Sequence, residues 1–192
     1  MLMSRLAPLD PDALSPQGRQ VYQAILSGAR GSVEGPLRAW LASPEFADRA
    51  QSLGLKCRFS SCFPPRLSEL AILVVAAHWK SQFEWHAHAA IAHEAGLPPG
   101  VIDAVRAGAL PPLPEPDQAI VYAFATELLT RHAVSQDTFQ QARDRFGDEG
   151  IVDLIGILGY YTLIAMTIAA FDIEAPGGQS VNFSATAAAT RT

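Results

Sequence analysis

Residues 66–96, RLSELAILVVAAHWKSQFEWHAHAAIAHEAG, limit the fold more than any other stretch. They read as two adjacent helices, the first almost wholly apolar. A helix without a polar face must be buried among other elements. The rest of the chain is punctuated for helices too, with Ser or Pro as openers and Gly as closer. Ser15-Pro16 opens a helix to about Ser27, stopped by Gly28. After the Gly-rich loop GARGSVEGP a short helix covers 37–42, and Ser43-Pro44 opens one to about Phe59. Pro64-Pro65 starts the apolar helix, which runs to about Trp79, and its successor runs from a break near Lys80-Ser81 to Gly96. Pro98-Pro99 opens a short helix closed by Gly108, the proline-rich ALPPLPEPD follows, and a long helix covers 116–132. Ser135 caps another, closed by Gly147, and the last is the apolar run 149–171. Strand signals are scarce, so the expected fold class is all-α. A single domain is expected over 1–172, with 173–192 as a tail, either disordered or an arm laid on a neighbouring subunit.

Composition narrows the partners. Hydrophobic residues make up 49% of the 192 positions and charged residues 17%. That balance predicts surface covered by further copies of the chain, a homo-oligomer. A net charge of -5 without basic runs excludes nucleic acid and anionic lipid as expected partners. Residues 151–171 are apolar and long enough to span a bilayer. However, Asp153 interrupts the run, and its flanks carry Asp148, Glu149, Asp172 and Glu174 with no basic anchor. The run is read as a core helix that also packs between subunits, with no membrane partner. The N-terminal MLMSRLAPLDPDALSP lacks the apolar stretch of a signal peptide, and the expected location is cytoplasmic. Cys57 and Cys62 are the only cysteines and form neither a CxxC nor a zinc pattern. They read as buried or semi-buried thiols in a reducing compartment, with a disulfide or redox pair as the alternative.

Glu69, Glu84 and His88 are the residues with chemical potential in this segment, because ionisable groups inside apolar helices are costly unless partnered or used. Glu84 and His88 stand at i, i+4 on one helix face, which continues through Ile91 and Ala95. That spacing lets the carboxylate bond the imidazole, set its tautomer and build an acid–base unit. Glu69 opens the run AILVVAA and should feel its apolar surroundings. Structural readings compete. An i, i+4 Glu–His pair also occurs on solvated faces, and Glu69 suits the N-terminal end of a helix dipole with Arg66 as its partner. Phe83 and Trp85 serve core or interface packing as readily as a substrate wall. His86 and His93 point off the Glu84–His88 face, and His78 is placed to cap its helix. A metal held by Glu69, Glu84 and His88 is a weaker reading, since no HExxH occurs; no metal and no cofactor are expected. No phosphate-binding glycine motif and no GxSxG is present.

The stretch PPRLSELAILVVAAHWKSQFEWHAHAAIAHEAGLPPGVIDAV resembles the core motif of the carboxymuconolactone decarboxylase family, which includes the AhpD-like alkylhydroperoxidases. The matching residues are Arg66, the run Glu69-Leu70-Ala71-Ile72-Leu73, Glu84-Trp85, His88, Ala92 and Ala95-Gly96-Leu97. The close match covers about 40 residues, with looser likeness on both sides. The resemblance implies an all-α fold assembling as dimers, trimers or hexamers, and a site near a subunit interface. It places the two cysteines of the peroxidase branch at Ser81 and Glu84 and its relay glutamate at Glu69. The thiols are therefore missing, and sulfenic-acid peroxidase chemistry is not expected. The decarboxylase branch lacks the CxxC and fits better. It implies cofactor-free loss of carbon dioxide from a small carboxylated lactone or related ring compound, with Glu69, Glu84 and His88 catalytic. There His88 would protonate carbon, oriented by Glu84, and Glu69 would relay or position the proton. Arg66 is the candidate for binding the substrate carboxylate, with Arg58 beside it. Another lyase, isomerase or hydrolase on the same Glu–His site, and a non-catalytic helical oligomer binding a small ligand, remain open alternatives.

Overall fold

The computed structural model describes residues 4–178 and 180–183. Among them are eight α-helices, two 3-10 turns and no strand. The helices are α1 (Pro16–Ser27), α2 (Pro36–Trp40), α3 (Pro44–Phe59), α4 (Pro65–His78), α5 (Gln82–Glu94), α6 (Pro99–Ala107), α7 (Pro116–Arg131) and α8 (Gln136–Phe171). Proline begins most of them because its missing N–H is no loss in a first turn. Ser15 and Ser135 cap α1 and α8 by accepting from the N–H groups of Gly18 and Thr138. Gly108 ends α6 in the left-handed conformation (φ 67°) that favours glycine.

The apolar helix is central. Every residue of α4 from Leu67 to Ala76 is buried, and the helix is enclosed by α5, α6, α7 and α8. Its interior supplies no hydrogen-bond partner that water could replace, so any polar side chain on it must be satisfied by a neighbour.

The two expected final helices meet at Gly147, whose backbone (φ 70°, ψ 179°) is not helical, and the label α8 spans both. Beyond that break Leu154, Ile157, Leu158, Tyr160, Tyr161 and Ala165 turn into the core. α8 is the one helix among the described residues long and apolar enough to cross a membrane. Its interrupting charge is satisfied within the fold: Asp153 pairs with Lys56 of α3 at 3.1 Å and accepts the Cys62 N–H at 2.8 Å. Its outer face carries Val152, Ile155 and Met166 exposed.

The segment after α8 turns back along its own chain. Gln82, at the start of α5, receives the Val181 N–H on its side-chain oxygen and donates its amide to the Val181 carbonyl. Phe183 packs edge-on against Trp85, 5.5 Å between ring centres. The remainder of the proposed tail, 184–192, lies outside the described residues.

Candidate active site

α4 and α5 are joined by a tight turn at Lys80, which lets the two helices lie side by side. Glu69, in the second turn of α4, faces His88, in the middle of α5. The His88 Nδ1 and Glu69 Oε2 are 2.8 Å apart, and both residues are about 95% removed from solvent (His88 5% and Glu69 4% exposed). The carboxylate that holds His88 is therefore Glu69 from the preceding helix, not Glu84 at i+4 spacing. An Nδ1–H donated to Glu69 fixes the tautomer and leaves Nε2 available on the other side of the ring. Glu69 also lies one turn further into α4 than a residue serving the helix dipole.

Glu84 and His88 share a face of α5, and that face forms one wall of a cavity of about 210 Å³. Arg30, Arg58, Phe83 and Tyr161 complete much of it, and Pro176 closes one side. Glu69 stands behind His88 and does not reach the cavity itself. Glu84 is 2% exposed, and neither of its oxygens has a hydrogen-bond partner among the described residues. Burial pushes its carboxyl up to about 8. The Ser81 hydroxyl beside it acts in the opposite direction but is not aligned to bond it. Burial thus favours the neutral, proton-bearing form of Glu84 beside the cavity. Tyr161 meets the His88 ring edge-on, 5.0 Å between centres, and burial pushes its phenol up from the usual range. It packs as a neutral ring and steadies the imidazole.

Positive charge enters from two arginines. Arg58, a sequence candidate, lines the cavity from the end of α3 and has no carboxylate partner among the described residues. Arg30 was not singled out by sequence reading. Its signal was faint: a lone arginine within the glycine-rich loop before α2. Its guanidinium donates to the Tyr160 hydroxyl at 2.9 Å. Gly54 on α3 makes room for this pair, because a Cβ there would overlap both the Tyr160 hydroxyl and the Arg30 guanidinium. Glu34 is the acidic residue at the mouth, exposed to solvent.

Arg66 is corrected. It lies away from the cavity in a two-pronged pair with Asp117 of α7, at 3.0 and 2.6 Å. It binds neither Glu69 nor any group facing His88, and it ties α4 to α7. The aromatic pair divides: Phe83 is cavity wall, seated over Gly35, while Trp85 is 4% exposed in the core. His86 and His93 are on the surface, as expected. No group of three or more His, Cys, Asp or Glu side chains is placed to hold a metal ion among the described residues.

No family model and no curated protein matches the sequence. Two solved structures match its shape. One is an uncharacterized peroxidase-related protein from Silicibacter sp. TM1040, with a TM-score of 0.71 and 16% identity over 94% of this chain and 95% of that one. The other, described as an alkylhydroperoxidase AhpD core, is an uncharacterized peroxidase-related protein from Ralstonia eutropha JMP134. It gives a TM-score of 0.71 and 18% identity over 97% of this chain and all of that one. The chain has an AhpD-like all-α fold. Within this AhpD-like fold no thiol lines the cavity. Cys57 is buried, its thiol pushed up to about 11 by desolvation, and Cys62 is exposed; both are free. Their sulfurs lie beside Gly156 and Gly150 of α8, six residues or about 9 Å apart along that helix.

Proposed function

We propose that the protein is a cofactor-free acid–base enzyme that decarboxylates a small carboxylated lactone or related ring compound. The observation that carries this reading is the buried Glu69–His88 hydrogen bond at 2.8 Å beside the buried, unpartnered carboxyl of Glu84 on one cavity wall. Arg58 and Arg30 seat a carboxylate that is retained in the product. The scissile carboxylate is turned toward the apolar side, near Phe83 and Ile164. The C–C bond breaks, carbon dioxide leaves, and its bonding electrons pass through the ring to the lactone carbonyl as a dienolate. The Glu84 O–H donates a hydrogen bond to that oxygen, the role a neutral carboxylic acid performs in an apolar site. His88 enters this step protonated on both nitrogens: it delivers the Nε2 proton to carbon, giving the enol-lactone, and is left as the neutral tautomer whose Nδ1–H stays on Glu69. Solvent returns the proton to His88.

A related reading uses the same atoms. A lyase or isomerase that moves a proton next to a carbonyl needs the same imidazole and the same neutral acid. The thiol chemistry of peroxidases is not part of the proposal, because no cysteine lines the cavity among the described residues. The test is turnover of carboxylated lactones by His88→Ala and Glu84→Gln. Each is expected to lose about 10²-fold or more in kcat. Wild-type rates in both variants would overturn the assignment.

A further inference from the structure

A second hollow lies on the other flank of α4, away from His88. It has a volume of about 280 Å³ and sits among α4, α6 and α7. Its floor is apolar: Val74, Val105, Leu129 and Phe183. Basic side chains reach it from separate elements: His78 at the end of α4, Lys80 in the following turn, and Arg106 in the last turn of α6. Among the described residues no acidic side chain lines it. On its α7 side the Thr126 Oγ1 is buried and lacks a hydrogen-bond partner among the described residues.

Helix dipoles explain part of this pattern, since His78 and Arg106 occupy last turns where basic residues are favoured. They do not explain Lys80. Its backbone is held at φ 51°, a conformation that disfavours side chains other than those of Gly, Asn and Asp. Neither Lys80 nor His78 makes an ion pair among the described residues. Arg106 is held only loosely by Asp103, at 3.4 Å, and also donates to the Asn182 carbonyl. An apolar floor, an unpaired hydroxyl in its wall and a basic rim whose Lys80 has no acidic partner among the described residues match one kind of molecule.

We propose that this hollow is a second ligand site, distinct from the His88 cavity, which binds a small carboxylate with an apolar body. The carboxylate lies between Lys80 and Arg106, and the body rests on Val105, Leu129 and Phe183. The proposal does not depend on the chemistry assigned to His88.

Benzoate is the probe and benzamide its neutral counterpart, titrated into the full chain while the methyl resonances of Val74, Val105 and Leu129 are followed. Benzoate is expected to shift them saturably, and benzamide to bind about ten-fold more weakly for want of charge. Lys80→Gln with Arg106→Gln, both at the rim, is expected to weaken benzoate by about ten-fold or more. Arg58→Gln, in the other cavity, is expected to leave these shifts unchanged. Four results would overturn the proposal: no shift at these methyls, equal shifts from benzamide, indifference to the rim substitutions, or shifts abolished by Arg58→Gln.

Discussion

Glu84 concentrates the energetic tension of the site in one side chain. Its carboxyl is held near 8 by burial, whereas in the unfolded chain it returns to the usual carboxylate range. Between those values the folded state binds a proton that the unfolded state does not. Stability is therefore greatest at the acidic end of that window and declines as pH rises through about 8, where the buried group must ionise. The slope from this one group is about 1.4 kcal/mol per pH unit. Glu84→Gln keeps the shape and removes the ionisation. Denaturant unfolding from pH 5 to 8 is expected to show a decline in wild-type stability that the variant lacks. Equal slopes in the two proteins would contradict the neutral state of Glu84. The partnership of His88 with Glu69 was hidden in the sequence for a related reason. An i, i+4 spacing is visible along one helix, but a contact across 19 positions depends on how two helices pack. Burial of all three groups was legible from the apolar run around them; which carboxylate meets the imidazole was not.

Helix boundaries were easy to read because this chain marks them covalently. Prolines open α1, α3, α4, α6 and α7 where expected, and Gly108 closes α6. What joins the helices was harder to see. Arg66 matched a motif position and looked like a substrate ligand, yet its fork locks α4 to α7 through Asp117. The Arg66 guanidinium holds the Asp117 carboxyl below its usual range. The pair's contribution is thus present at neutral pH and is lost as acid protonates Asp117. Arg66→Gln is expected to cost about 2 kcal/mol at pH 7 by leaving Asp117 poorly paired, with KM unchanged. Arg58→Gln is expected to do the reverse, raising KM with unfolding little altered. Calorimetry and steady-state kinetics on the two variants check both halves. A KM change from Arg66→Gln as large as that from Arg58→Gln would return Arg66 to the binding role.

At the scale of the molecule, the outer side of α8 is the least settled surface. Val152 is 67% exposed, Ile155 47% and Met166 49%, an apolar stripe at helical spacing. Leu53 and Phe59 of α3 add to the exposed apolar area. A homo-oligomer formed through this face is the expected outcome. Light scattering on a sizing column is expected to give a mass above that of one chain, falling when Val152→Glu and Ile155→Lys are combined. A monomer before substitution would exclude it. The opposite extreme is α4, which has no outward side between Leu67 and Ala76. The acid that aims the imidazole grows from that enclosed rod. A drifting sequence cannot repair the packing of α4 without also re-aiming His88, so changes that shift its melting temperature should shift its pH–rate profile in step.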